Sequence, residues 1–303
     1  MLQLGLVALL ASSLPWTAEP DAPPTPIYGG ELAPPGAWPS AVAIVLPGAL
    51  CTGTLVAPRV VLTAAHCLEA APAAEFVEVR LGEDVNLPSA PRVAVDKIGL
   101  HPMFCGTDTS VCKEDIWDYG YVVLAEDIPG VAPTRPLTRQ EEWDEVMQIG
   151  ELITVVGYGL DETQQTGIKR QVDVPIVKFS GTGLEFQAGG MGLDSCQGDS
   201  GGPAYVTLQS GETILAGVTS RGYTCGKGGF YAIPYASLCW LNEETGVDLR
   251  TDACDACDCL VTDPDANEER CGCAASDPAG PLALALLALL SRPGRRRSRT
   301  SRS

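Results

Sequence analysis

Asp194-Ser-Cys-Gln-Gly-Asp-Ser-Gly-Gly-Pro203 is the stretch from which the rest of the chain can be read. A serine hydroxyl is a poor nucleophile unless a base takes its proton and donors stabilise the oxyanion formed by its attack. The glycines around Ser200 let the backbone turn sharply and aim amides at one point. The amides of Gly198 and Ser200 are the candidates for that oxyanion hole. An ordinary glycine-rich turn accounts for two glycines, not for the whole string.

A base must therefore exist, and the chain has only two histidines, His66 and His101. Histidine is the usual base near neutral pH. His66 lies in Leu-Thr-Ala-Ala-His-Cys67, directly after an apolar strand, with a cysteine beside it that can pin the turn. His101 precedes a proline at a strand end, where a surface structural role fits better. The base in turn needs a carboxylate to fix its tautomer and stabilise the imidazolium. Asp118 opens Asp-Tyr-Gly-Tyr-Val-Val-Leu124, whose glycine and leucine keep the strand pattern in register. Asp115 is the competitor.

Around these residues, short β-branched runs alternate with turn signals from Ile27 to about Val247. Examples are AVAIVL (41–46), RVVLTAA (59–65), FVEVRL (76–81), YVVLA (121–125), LITVVGYG (152–159), RQVDVPIV (170–177) and ETILAGVTS (212–220). Their spacing and period read as an all-β sandwich or barrel. One late helix starts near Tyr235, in ASLCWLNEE. Abundant glycine (33) and proline (24) suit many strands joined by tight turns. A formal charge of −18 leaves nothing to neutralise phosphates and excludes nucleic acid as a partner. Twelve cysteines and an apolar segment from Leu2 to Leu14 indicate export. A signal cut after Ser13 or after Ala18 fits equally.

The order His, Asp, Ser with TAAHC and DSCQGDSGGP resembles the trypsin-like serine proteases, over Ile27 to about Leu241. The resemblance implies two six-stranded antiparallel β-barrels with a short C-terminal helix, and a triad of His66, Asp118 and Ser200 in the cleft between the barrels. It implies an endopeptidase acting on proteins or peptides through an acyl-enzyme, with no cofactor and no metal. Asp194 matches the pocket floor of members that cleave after arginine or lysine. Ser195, Ser220, Gly222 and Gly229 match the rest of that pocket. Arg221 stands where the family usually has an aromatic, and is expected to favour polar or acidic side chains in the second substrate subsite. Ile27-Tyr-Gly-Gly30 looks like the mature N-terminus, whose ammonium would pair with Asp199. Because Pro26 precedes it, a separate activating protease that cuts at Pro26–Ile27 is expected. The resemblance also pairs Cys51 with Cys67, Cys196 with Cys225, and Cys105 with Cys112, while Gln187 occupies a position where the family has a cysteine. Glu83 matches one ligand of a calcium loop found in some relatives, without a clear second acid.

Domain boundaries follow: a signal peptide (1–18), a propeptide (19–26), a protease domain (27–247), an acidic Cys-rich linker (248–273) and an apolar, Arg-rich tail (274–303). In the linker, Cys254-x-x-Cys257-x-Cys259 suits disulfides better than zinc, since no histidine is near. The apolar run Leu282–Leu290 is shorter than the roughly twenty residues needed to span a bilayer. With Cys271-Gly-Cys273 and six following arginines, the tail resembles the C-terminal sorting signals of myxobacterial exported proteins. Cleavage near those cysteines is expected to leave the protein attached at the membrane or cell surface through the tail, or to release it. The alternatives to an active Arg/Lys-specific enzyme are a serine protease with another pocket preference, or an inactive protease-shaped binding protein.

Overall fold

A computed structural model describes residues 27–106, 117–161, 163–251 and 260–262. The signal peptide, propeptide and sorting tail expected from sequence lie outside the described residues, as do Asp115 and Cys112.

The β-branched runs form antiparallel strands. In the first half these are β1 (Glu31–Leu32), β2 (Ala41–Leu46), β3 (Ala49–Ala57), β4 (Val60–Thr63), β5 (Glu78–Arg80), β6 (Arg92–Leu100) and β7 (Gly120–Leu124). Strands β2-β3-β4-β7-β6-β5 close into a barrel. Its interior is apolar, built from Val42, Ile44, Leu55, Val61, Leu68, Val79, Val122 and Leu124. Burial of such side chains, at roughly 25 cal/mol per Å² of apolar surface, is the main force closing the ring.

The second half supplies β8 (Leu152–Gly157), β9 (Arg170–Phe179), β10 (Glu185–Ala188), β11 (Pro203–Thr207), β12 (Thr213–Gly222) and β13 (Gly229–Ala232). They run in the order β9-β10-β13-β12-β11-β8, and β8 pairs back onto β9 to close a second six-stranded barrel. The short β1 attaches to β9 on its other side. Closure of both rings removes the exposed edges that an open sheet would carry.

A third apolar cluster joins the barrels, with Ala41, Val56, Leu62, Tyr121, Val156, Tyr205, Leu215 and Leu241 among its members. Trp38 stacks on Tyr205 at 5.0 Å, and the Tyr205 hydroxyl bonds Ser40 Oγ at 2.8 Å. Among the described residues, three α-helices accompany the strands: α1 (Ala65–Glu69), α2 (Gln140–Val146) and α3 (Leu238–Thr245). The late helix in ASLCWLNEE is α3, entered through a 3-10 turn at Pro234–Ser237. Helix α2 has no counterpart in the sequence reading. Its one apolar face is short, with Trp143 the only buried apolar side chain inside it.

Packing of the second barrel continues beyond residue 247. Leu260 is buried in the second-barrel core. Beside it, the Gln140 side chain clasps the backbone of Val261 from both sides, accepting from its N–H at 2.8 Å and donating to its C=O at 3.3 Å. Thr262 packs over Gly183, where a Cβ would lie 1.9 Å from Thr262 Oγ1.

Candidate active site

His66 sits in the first turn of α1, just after β4 delivers the chain to the seam between the barrels. Asp118 lies two residues before the first residue of β7, which pairs with β4 through Thr63↔Gly120. This register brings together two residues 52 positions apart. The Asp118 carboxylate is wholly buried and fully engaged. Oδ1 accepts from the His66 backbone N–H at 2.9 Å, and Oδ2 lies 2.7 Å from Nδ1 of the His66 ring. Ser220, from the other barrel, donates its hydroxyl to the same Oδ2 at 2.7 Å. Three donors on one carboxylate fix the imidazole so that Nε2 faces away from Asp118. Ser220 belonged to the pocket in the sequence reading; its bond to Asp118 spans 102 positions and has no local signal.

The Ser200 loop is bound to the first barrel. Thr52 N–H donates to Ser200 C=O at 2.8 Å, and Thr52 Oγ1 donates to Gly198 C=O at 2.9 Å. The sulfur of Cys67 lies 3.9 Å from His66 Nε2 and 3.5 Å from the Ser200 carbonyl oxygen, so the histidine ring and the serine backbone both border this sulfur. Ser200 Oγ and the N–H groups of Gly198 and Ser200 make no hydrogen bond among the described residues. Gly198 has φ +100°, and a Cβ there would stand 2.8 Å from Gly159 Cα; at Gly201, with φ +78°, it would stand 1.9 Å from Thr63 Oγ1. Both the turn and its close approach to neighbouring backbone therefore require glycine.

Asp199 is buried between this loop and β8. Its oxygens accept from the N–H groups of Gly159 (2.7 Å) and Cys196 (2.8 Å). A Cβ on Gly157 or Gly159 would run into that carboxyl, which explains the Gly-Tyr-Gly turn. No ion pair to Asp199 forms among the described residues. Burial pushes its pKa up to about 7, against the two peptide donors, with the nearby Asp194 charge adding to the rise. Segment Ile27–Gly30 lies against the neighbouring loop. Ile27 is buried in the second-barrel core, Tyr28 C=O accepts from Asp194 N–H at 2.9 Å, and Gly29 abuts the Gly192 carbonyl.

Asp194 is also buried, and its pKa rises to about 6 for the same reason, moderated by N–H donors from Gly228 and Ser195, each at 2.8 Å. At Gly229 a Cβ would come 3.2 Å from Ser195 Oγ and 3.3 Å from Asp194 Oδ1, so a side chain there would crowd the acid. Tyr231 joins this group and was absent from the sequence reading. Burial keeps its hydroxyl un-ionised, and Ser195, Asp194 and Asp199 are the groups that act on it. Above them a cleft is lined by Ser195, Ser200, Ser220, Arg221, Gly222 and Tyr223. The Cys196–Cys225 disulfide ties its two walls, and Cys51–Cys67 braces the histidine turn. Cys105 and Cys239 are disulfide-bonded as well. Cys51, Cys67 and His66 offer ligand atoms within 4.8 Å of one another, but both sulfurs are committed to the disulfide.

Two expectations change. His101 is structural but not at the surface: it is buried, stacked on Trp117 at 4.9 Å, and held neutral by burial with a pKa lowered to about 4. The charge of Arg221 is not free for substrate. Its guanidinium forms a bidentate pair with Glu185, both bonds 2.7 Å, over the ring of Phe230. Glu83 accepts from Gly36 N–H at 2.8 Å.

The family model described as Trypsin matches residues 27–240. The chain is 34% identical to human serine protease 56 over 240 residues, covering 72% of this chain and 38% of the relative. It is 31% identical to coagulation factor XII of Sus scrofa over 254 residues, covering 72% and 39%. With phenoloxidase-activating factor 1 of Holotrichia diomphalia it shares 31% over 214 residues, covering 60% and 57%. The chain thus spans well under two thirds of each of these relatives.

Proposed function

This chain belongs to the trypsin family of serine proteases, and from that premise we propose that it is a secreted endopeptidase that hydrolyses proteins after arginine or lysine through an acyl-enzyme. The observation that carries the reading is the His66–Asp118–Ser220 hydrogen-bond set at the mouth of the cleft that Ser200 lines.

In the proposed reaction Ser200 Oγ attacks the scissile carbonyl carbon while its proton passes to His66 Nε2. Asp118 holds the ring and stabilises the imidazolium. The N–H groups of Gly198 and Ser200 receive the oxyanion. The imidazolium then protonates the leaving amine, and the C–N bond breaks. Water attacks the ester by the same route, giving up its proton to His66, and the acid leaves as Ser200 regains its hydrogen. Asp194, with Ser195, Gly222 and Gly229, forms the pocket for the cationic side chain. Past Thr219, no strand covers Ser220–Gly222 on the β11 side among the described residues, which leaves a backbone edge for an extended peptide.

For activation, cleavage at Pro26–Ile27 by a separate protease frees an ammonium that pairs with Asp199. The burial of Ile27 and of the Asp199 carboxyl, whose described partners are peptide N–H groups, supports this arrangement. Export is proposed from the Leu2–Leu14 segment together with the disulfides, which persist in oxidising compartments. The tail is proposed to act as a sorting signal.

The test is hydrolysis of matched peptides with Arg, Lys, Phe or Ala before the cleaved bond, by protein starting at Ile27 and by its Ser200→Ala variant. Rapid cleavage after Arg or Lys, lost in the variant, is expected. Cleavage only after Phe or Ala would discard the Asp194 pocket and keep the mechanism.

A further inference from the structure

Arg221 lies in β12 directly after Ser220, on the strand that lines the cleft. Its pairing follows from register. Arg221 is opposite Phe230 on β13, and Phe230 is opposite Gln187 on β10. Residues opposite one another share a face, and so do residues two apart on a strand. Arg221, Phe230, Gln187 and Glu185 therefore all point to one face, away from Phe186 and Tyr231 in the core. The guanidinium reaches across β13, with its carbon 4.3 Å from the centre of the Phe230 ring, and meets Glu185 end-on. The Glu185 side chain is only 5% exposed and that of Arg221 is 17% exposed. A bidentate pair this enclosed is held in one geometry, and its two charges cancel toward the cleft.

A peptide residue opposite Arg221 would send its side chain to the same face. We propose that the Arg221–Glu185 pair is a specificity-determining floor of this cleft, neutral in charge and polar in character. It selects peptides with an uncharged hydrogen-bonding side chain (Ser, Thr, Asn or Gln) at the residue opposite Arg221, and Glu185 masks what would otherwise be an anion site. The inference rests on the endopeptidase reading and specifies its substrate class. The N–H groups of Arg221 that Glu185 does not use remain as donors for such a side chain.

The test compares kcat/KM across peptides with Arg at the cleaved position and Asp, Asn, Gln, Leu or Phe at the residue before it, for the parent enzyme and Glu185→Gln. The parent is expected to favour Asn and Gln over Leu and Phe, and to gain nothing from Asp over Asn. Glu185→Gln is expected to favour Asp over Asn by about ten-fold, the size of a charge-assisted hydrogen bond, and to lose that preference in high salt. A paired Arg221→Met/Glu185→Met variant removes both charges, keeps similar volume, and is expected to turn the preference toward Leu and Phe. A parent enzyme that strongly prefers Asp would overturn the masking, and so would cleaving variants with the parent's selectivity. If the parent cleaves none of the peptides, the endopeptidase reading falls, and the proposal with it.

Discussion

Each barrel buries carboxylates at the cleft, but it completes them differently. On the first-barrel side, Asp118 is bound by a ring nitrogen, a peptide N–H and a hydroxyl. On the second-barrel side, Asp194 and Asp199 face peptide N–H donors, and burial pushes their pKa values up to about 6 and about 7. Uncharged donors, including the Ser195 hydroxyl 3.5 Å from Asp194, compensate a buried charge incompletely. The first barrel's acid already has the partner that orients it. The second barrel's acids are left short of positive charge, and the proposed cations, the Ile27 ammonium and a substrate arginine or lysine, would supply it.

The comparison breaks most visibly at Asp118. Asp118→Asn keeps the shape and loses the charge and tautomer control, so kcat is expected to fall about 10⁴-fold with Tm nearly unchanged. A variant that retains more than a tenth of the activity would show that this acid does not act through His66.

Asp194→Ser removes the proposed counter-charge for the substrate. Cleavage after arginine is expected to drop about 10²–10³-fold while cleavage after alanine holds. The same acid gives a pH signature. As pH falls through about 6, protonation of Asp194 removes its attraction for arginine. The ratio of Arg to Ala cleavage should therefore decline with acidity, a readout that cancels any pH effect common to both substrates.

Asp199 separates precursor from processed enzyme. Its folded pKa lies above the ordinary carboxylate value, so the folded precursor holds a proton that the unfolded chain gives up. By linkage, this acid's contribution to precursor stability is greatest at low pH and is lost as pH rises from about 4 to about 7. Protein starting at Ile27 should lack this loss, because its ammonium stabilises the charged form. Chemical denaturation of both forms across that range would decide it, and parallel curves would reject the pairing.

The smallest effect concerns how the second barrel is finished. Its core incorporates Leu260, while the described core of the first barrel is built from residues between Val42 and Ile128. Gln140→Ala, which removes the clasp on Val261, is expected to destabilise the protein by about 1 kcal/mol in urea. No change in the midpoint would mean that Leu260–Thr262 contribute little to the fold.

Much of this was readable along the chain. AVAIVL coincides with β2, and the other quoted runs mark their strands to within a few residues, because apolar alternation reports directly on a half-buried pleat. The glycines of 198–202 were visible as a motif, and their spacing is explained by neighbours that would clash with any Cβ. Helix α2, the burial of His101 and the docking of Leu260 were not readable. Each depends on a surface assembled from distant segments.

The sequence by itself determined the chemical inventory: one histidine after an apolar strand, one aspartate opening another, and one serine framed by glycines. It also determined the all-β architecture, since strand periodicity and turn residues are local properties. Tertiary structure alone decided how those groups are charged and paired. Ser220 reaches Asp118 only because the two barrels meet, and Arg221 loses its free charge to Glu185 only through the β10–β13–β12 register. The reason is physical: side-chain identity is written in the chain, but desolvation and charge compensation depend on which distant atoms exclude water from a group and which bond to it.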